Sequence, residues 1–532
     1  MEVLMHTYAE LLVIADQAEV ILPGIANTPQ AISTATDVPD SQLATIPPTM
    51  TALEADDDPH RLARVNLEHY ATRTDGRTLA FWRDEWYVWK KNAYRRISKD
   101  ELRAKLSHSI KREFDRMNIE QQSSMAESTQ DDKGPAKTQK VSMALVANVM
   151  QATSGMVCIG ADVEPGTWLP TKEPKQYTSM ANGIIDIDAV LADRDDYTQP
   201  NTPRWFSLVS LPYSFNPEAT CPKWTAFLNH NLAEDINLIH VAQEWAGYLL
   251  LPTTDEQKFM ILEGEGKNGK SVYIAGLTAM LGVDNVSTVP LELFGDKFQL
   301  ATAIGKLLNA AGDCGDLDKA AEGTLKSFTS GDRMFFDRKG ISPVTCVPTA
   351  RLMLACNTLP RFSDRTDGVW RRMLMIPWGV WITEEKRIKG MDKVEYWNRS
   401  GELPGIFNWA LEGLARLRRQ GGFTESETMR EAIEEHKNEA NPTRFFLQQN
   451  VEENADGIIR SSEVYKIYKK WTEENGYRPL SERPFGKEVK RIFRKSDRVH
   501  RGTREERYWA YEGIQFSQAE ICGMKTDELK LF

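Results

Sequence analysis

Apolar and polar positions change period several times along the chain, and each change marks an element. From Thr78 to Ile97, aromatic and β-branched residues crowd both sides of the polar Arg83-Asp84-Glu85, as in Phe81-Trp82 and Trp86-Tyr87-Val88-Trp89, which predicts a β-hairpin. Ser98-Lys99-Asp100-Glu101 follows with the hydroxyl and carboxylate spacing of a capping box, so a helix should open there. Gly183-Ile184-Ile185-Asp186-Ile187 reads as a strand, whereas Leu238, Val241, Ala242, Trp245 and Leu249 recur at helical spacing. Four short apolar runs then predict core strands: 258–263, 306–313, 351–356 and 374–377. Beyond Glu427 the pattern becomes helical, with helices expected over 461–476 and 481–495 before a hairpin centred on Arg501-Gly502-Thr503-Arg504. That order suits a winged-helix domain.

At 532 residues the chain should divide into several domains. Residues 1–58, rich in Thr, Pro, Ala and Asp, read as a flexible leader, and 59–120 as a small α+β module. The polar run 121–140 reads as a linker, followed by a mixed region at 141–230, a central domain at 231–425, a C-terminal domain at 426–516 and a tail at 517–532. There is no fixed-period repeat. A net charge of −10 excludes a uniformly basic surface, so nucleic-acid contact has to be local. The six cysteines are scattered without C-x-x-C spacing and read as reduced thiols, not zinc ligands. Glu2 stands where a secretory signal would be basic, and the most apolar stretch, near 238–251, falls short of the roughly 20 residues of a membrane span. A cytoplasmic protein without a membrane partner is expected.

The chemistry concentrates in the central domain. The run 258–263 leads into Gly264-Glu265-Gly266-Lys267-Asn268-Gly269-Lys270-Ser271, which satisfies G-x-x-x-x-G-K-[ST] in strand, loop and helix context. Its glycines let backbone amides converge on phosphates at a helix N-terminus. Lys270 should neutralise β and γ oxygens of ATP, and Ser271 should ligate Mg2+. The strand at 306–313 ends in Asp313, the candidate magnesium ligand and general base, with Asp316 and Asp318 near enough to compete. Asn357 ends the third strand, where an amide could orient attacking water. Arg371 and Arg372 precede the fourth, and either could stabilise charge on a neighbouring subunit's γ-phosphate.

With these elements placed, the chain resembles the superfamily 3 helicases of the phage and plasmid primase type, related to the poxvirus primase-helicases. The resemblance runs from about Thr78 to Phe516 and is most specific between Leu249 and Pro377. It is carried by Gly264 to Ser271, Lys326-Ser327-Phe328-Thr329-Ser330-Gly331-Asp332, Cys356-Asn357-Thr358-Leu359-Pro360 and Trp370-Arg371-Arg372. It implies an α/β, AAA+-related P-loop NTPase motor with a small N-terminal α+β module and a C-terminal winged-helix domain. The family works as a ring, usually a hexamer, around single-stranded DNA, and the resemblance assigns Asp313 to Walker B, Asn357 to the sensor and Arg371 or Arg372 to the finger. Arg333, Phe335, Phe336, Arg338 and Lys339 would form the pore hairpin, basic groups holding phosphates and aromatics stacking on bases; core packing of the two phenylalanines is the competing reading. Asp313 is followed by Cys314-Gly315-Asp316 instead of an adjacent acid, which leaves the base assignment open. The chain also lacks the cysteines and the ordered upstream length of a primase domain, so a separate primase or polymerase is the expected partner.

Residues 478–507 carry eleven Lys or Arg against five Asp or Glu. Lys487, Lys490, Arg491, Arg501 and Arg504 are therefore candidates for phosphate contact, against a solvated face of internal ion pairs. Two other functions share the phosphate loop: a replication initiator or loader that binds DNA without processive unwinding, and a small-molecule kinase.

Overall fold

A computed structural model of the chain describes residues 54–127, 138–312, 319–360, 362, 368–503 and 506–517. The expected leader therefore lies outside the described residues except for 54–58, as does the tail beyond 517.

Helix α1 (Pro59–Tyr70) starts where Asp58 accepts hydrogen bonds from the amides of His60 and Arg61 at 2.8 and 2.9 Å, with proline in the first turn. Strands β1 (Leu79–Trp82), β2 (Glu85–Lys90) and β3 (Ala93–Ile97) form an antiparallel meander, one strand more than the predicted hairpin. Both turns have two residues at positive φ, Arg83-Asp84 and Lys91-Asn92, the mirror-image geometry that matches strand twist. Asp and Asn tolerate this conformation, so no glycine marks the second turn.

Helix α2 (Lys99–Glu127) opens on the predicted cap, Glu101 donating its amide to Ser98 Oγ at 3.1 Å. It continues seven residues into the segment that reads as linker. Pairs four apart, such as Lys105 with Glu101 and Gln122 with Asn118, support a helix that has little to bury there. Helix α3 (Met143–Met156) packs back on α1 and α2, so its Val146 and Val149 share a core with Leu62, Trp86, Ile97 and Leu106. The other side of the meander carries Trp82, Tyr87 and Tyr94, which meet Val163 and Phe206.

The next helices, α4 (Pro222–Asn231) and α5 (Ile236–Tyr248), lead to β4 (Phe259–Glu263). Then come α6 (Lys270–Leu281), β5 (Val286–Ser287), β6 (Leu308–Gly312), α7 (Lys319–Ser330), the hairpin β7 (Met334–Arg338) with β8 (Ile341–Cys346), β9 (Arg351–Cys356) and β10 (Met373–Pro377). Strands β5-β6-β9-β4-β10, in that spatial order, make one parallel sheet. Its strands read as continuous apolar runs because helices cover both faces. Helix α8 (Leu403–Gln420) lies along α5, where buried Glu244 receives a hydrogen bond from Arg416 at 2.7 Å.

The C-terminal part runs α9 (Glu427–Ala440), α10 (Pro442–Asn450), β11 (Val451–Arg460), α11 (Ser461–Glu474), α12 (Glu482–Ile492), β12 (Asp497–Arg501) and β13 (Tyr508–Phe516). Both predicted helices and the hairpin are present. Strand β11 was not expected, since only Val451, Gly457 and Ile459 of its ten residues are buried; it pairs with β13 to complete a β11-β13-β12 sheet. No described helix is long and apolar enough to cross a membrane.

Candidate functional site

The chain leaves β4 through Gly264, whose amide donates to the carbonyl of Cys356 at 3.2 Å. A side chain at Gly264 would sit 2.4 Å from both Asn268 Nδ2 and the Trp378 carbonyl, and φ there is +149°. Gly269 opens α6 at φ +94°, and a Cβ there would lie 2.8 Å from Asn231 Oδ1. Gly266 faces open space. Two of the three glycines are thus required by packing and backbone conformation. Asn268 donates to the Trp378 carbonyl at 2.6 Å, strapping the loop to the end of β10.

Lys270, 8% exposed, is the first residue of α6. Its ammonium donates to the carbonyls of Gly264 and Glu265, to Asn268 Oδ1 at 3.3 Å and to Asn357 Oδ1 at 3.5 Å. Asn357 follows β9, and β9 neighbours β4, so parallel pairing brings the third-strand asparagine to the loop lysine across 87 positions of sequence. Ser271 is exposed in the first turn of α6.

Beside the loop opens a cavity of about 490 Å³. Phe227, His230 and Asn231 of α4 form one wall, and Ile382, Ile388 and Met391 form another. These residues were not singled out from sequence, because α4 and the 379–392 segment carry no motif and reach the loop only through folding. Asn231 spends its Nδ2 on the Phe227 carbonyl at 2.7 Å, while its buried Oδ1 has no hydrogen-bond partner among the described residues. His436 on α9 was also missed: its Nε2 lies 2.6 Å from Glu263 Oε1, directly before the loop, and that hydrogen bond raises the imidazole pKa against the opposing effect of burial.

Asp313 and Asp316 lie outside the described residues. Gly312, directly before them, pairs with Ala355 in β9, so β6 ends at the loop edge of the sheet. Arg371 and Arg372 stand at the opposite edge. Phe259 pairs with Met373 at the start of β10 and Glu263 with Pro377 at its end, which separates the arginines from the loop of the same chain by roughly 20 Å along the strands. Arg372 is half-buried and donates to Ser330 Oγ at 2.7 Å and to the Gly368 carbonyl at 2.6 Å; burial, with Arg371 beside it, lowers its pKa. Arg371 is exposed, and its carbonyl accepts from Lys258 Nζ at 2.6 Å.

Residues 262–372 match a family of unknown function (DUF5906), and 438–521 match the family described as Poxvirus D5 protein-like. The chain is 29% identical over 171 residues to "Putative helicase L207/L206" of Acanthamoeba polyphaga mimivirus, covering 30% of this chain and 18% of that protein. It is 22% identical over 252 residues to "Putative helicase 022R" of Frog virus 3 (isolate Goorha), covering 43% and 25%. The chain therefore spans a quarter or less of either relative. Over these stretches the chain is similar to two families and to two viral proteins described as putative helicases. Among solved structures, the apo C-terminal region of NrS-1 aligns at a TM-score of 0.47 and 12% identity, over 86% of this chain and all of that one.

The β7–β8 hairpin turns through Lys339 and Gly340. Lys339 and Arg333 are exposed, the latter donating to the Thr345 carbonyl at 3.3 Å. Arg338, expected on the DNA side, points inward instead. Its Nη1 lies 2.8 Å from Glu85 Oε2, both side chains are 9% exposed, and it also donates to the Arg83 and Ser342 carbonyls. Register explains the reversal: a bulge between Phe336 and Arg338 re-aims the arginine towards the N-terminal sheet. Of the two phenylalanines, Phe336 is buried in the core and Phe335 is 54% exposed.

The C-terminal basic residues are largely tied to local acids. Lys490 donates to Asp497 at 2.9 Å, Arg491 lies 3.6 Å from Glu488, and Arg501 donates to Glu512 at 2.6 Å across the β12–β13 pair. Lys487 is exposed, and Arg504 lies outside the described residues. The exposed Lys490–Asp497 and Arg501–Glu512 pairs are worth about 0–1 kcal/mol and exchange readily for phosphate, whereas the buried Arg338–Glu85 pair does not.

Proposed function

We propose that the chain is the motor of an ATP-driven DNA helicase that works as a ring on single-stranded DNA during viral or phage replication. The observation that carries the reading is the division of the parallel sheet: loop lysine and strand-end asparagine meet at one edge, and an exposed arginine stands at the other. In this AAA+-like strand order a ring neighbour would present its far edge to the loop. Arg371 would then stabilise γ-phosphate charge across the subunit interface, with Arg372 holding it through Ser330.

ATP fits the site. The cavity is wide enough for a nucleoside, and the cradle excludes a Cβ where backbone must approach phosphate. Arriving phosphates would take over the Lys270 ammonium from the loop carbonyls. Ser271 and Asp313 would hold Mg2+, which supplies neutralisation of developing phosphate charge. Asn357 would orient the attacking water, and Asp313 or Asp316 would accept its proton. Lys339 and Phe335 on the hairpin, and Lys487 in the winged-helix-like C-terminal domain, would meet DNA. Lys270→Ala should lower ATP hydrolysis at least a hundredfold and abolish displacement of a strand from a forked duplex. If it retains both, the motor reading is wrong, and unwinding absent in the unsubstituted chain despite DNA-stimulated hydrolysis would favour an initiator or loader.

A further inference from the structure

A second, larger cavity of about 820 Å³ lies between the N-terminal meander and the β7–β8 hairpin. Eight lysines and arginines line it against three carboxylates, in a protein whose net charge is −10. Two of those carboxylates are already engaged: Glu85 bridges Arg96 at 2.6 Å and Arg338 at 2.8 Å, and Glu101 holds Lys105 at 2.7 Å. Lys90, Lys91 and Lys339 are exposed along the groove without a carboxylate partner among the described residues.

Deeper in the groove, Arg95 and Lys306 lie close enough that the arginine's charge, added to burial, depresses the lysine pKa. Arg95 donates Nη1 to the Leu208 carbonyl at 3.0 Å, but its buried Nε has no partner. Asp284, the third carboxylate of the lining, offsets part of the repulsion between these two half-buried cations, and a phosphate reaching them would add to that. Phe298 lines the same groove and is 52% exposed, offering a ring face to a base.

We infer that this groove binds single-stranded DNA, carrying the strand from the hairpin tip at Lys339 over Phe298 to Lys90 and Lys91 on the N-terminal sheet. Backbone phosphates would meet the lysines, and a base would stack on Phe298, a sequence-tolerant mode that suits a strand of any composition. The identity of the polymer rests on the motor reading; the groove itself does not need ATP.

The test is fluorescence anisotropy of a fluorescein-labelled 20-nucleotide oligodeoxythymidylate with the full chain, without nucleotide, over a series of salt concentrations. Lys90→Glu/Lys91→Glu should bind about tenfold or more weakly, and the slope of log affinity against log salt should fall by about 1.4, the loss of two single-strand phosphate contacts. Lys111→Glu/Arg112→Glu on α2, outside the groove, should bind normally, and both variants should still bind a fluorescent ATP analogue. Unchanged affinity and slope in the groove variant, or an equal loss in the α2 variant, would overturn the inference, as would tighter binding of oligouridylate. Because hydrolysis is not measured, failure here leaves the Lys270 test untouched, and failure of that test leaves this one standing.

Discussion

The two edges of the five-stranded sheet are built on opposite plans. At the loop edge the lysine is closed in: Lys270 is 8% exposed and surrounded by oxygens of its own loop and Asn357, and Asn268 straps the loop to β10. At the other edge Arg371 is exposed, and the hairpin nearby is anchored through Arg338 to a different module, at Glu85. A preorganised phosphate cradle and a displayed arginine are complementary halves that one chain holds roughly 20 Å apart. Under the proposed function, a second copy placed head to tail, the geometry that closes rings, would bring the two halves together.

The largest expected effect tests that division. Arg371→Ala should lower kcat for ATP hydrolysis on the order of 10³-fold with KM little changed, since a finger acts on transition-state charge. Arg372→Ala should lower it less and should also cost stability, because Arg372 ties Ser330 to the Gly368 carbonyl. Mixing the Arg371→Ala and Lys270→Ala chains, each inactive alone, should restore activity at about a quarter of the interfaces of an equal mixture. No recovery on mixing would mean that the arginine does not act in trans.

The loop edge was legible in the sequence and the far edge only half so, for physical reasons. The cradle is local: eight consecutive residues carry its chemistry, and the apolar strands around it announce their length. Asn357 was readable because a strand end is a topological position. The pairing of Arg338 with Glu85, 253 positions away, was not readable because its direction depends on a bulge. Likewise Asn231, Ile388 and His436 reach the loop only through tertiary packing, which no period records. Strand β11 escaped because a sheet edge with three buried residues in ten does not alternate.

A smaller effect separates the hairpin's anchor from its catalytic neighbours. Glu85→Gln removes the carboxylate shared by Arg96 and Arg338 and leaves a nearly buried guanidinium without its counter-charge. The cost should be about 3 kcal/mol, read by urea unfolding of the N-terminal module. ATP hydrolysis without DNA should persist, because the loop edge is untouched, while its stimulation by single strands should weaken as the hairpin loses its anchor. Loss of basal hydrolysis instead would show that the two edges are less separate than their contacts suggest.

The smallest effect concerns a C-terminal group that reaches the loop edge. His436 on α9 sits 2.6 Å from Glu263 and is 18% exposed, and the hydrogen bond raises its pKa above the ordinary 6.5. A histidine whose pKa is raised on folding contributes stability that is fully present below the unfolded value, near 6.5, and lost as pH climbs through the higher folded value. His436→Ala should therefore melt below the unsubstituted chain at pH 6, by an amount corresponding to about 1 kcal/mol for a partly exposed pair. The gap should close as pH rises through the folded value and the imidazole becomes neutral in both states. A gap of the same size across that range would mean that His436 holds α9 to β4 by packing and not by charge, and that the C-terminal domain senses the cradle through shape alone.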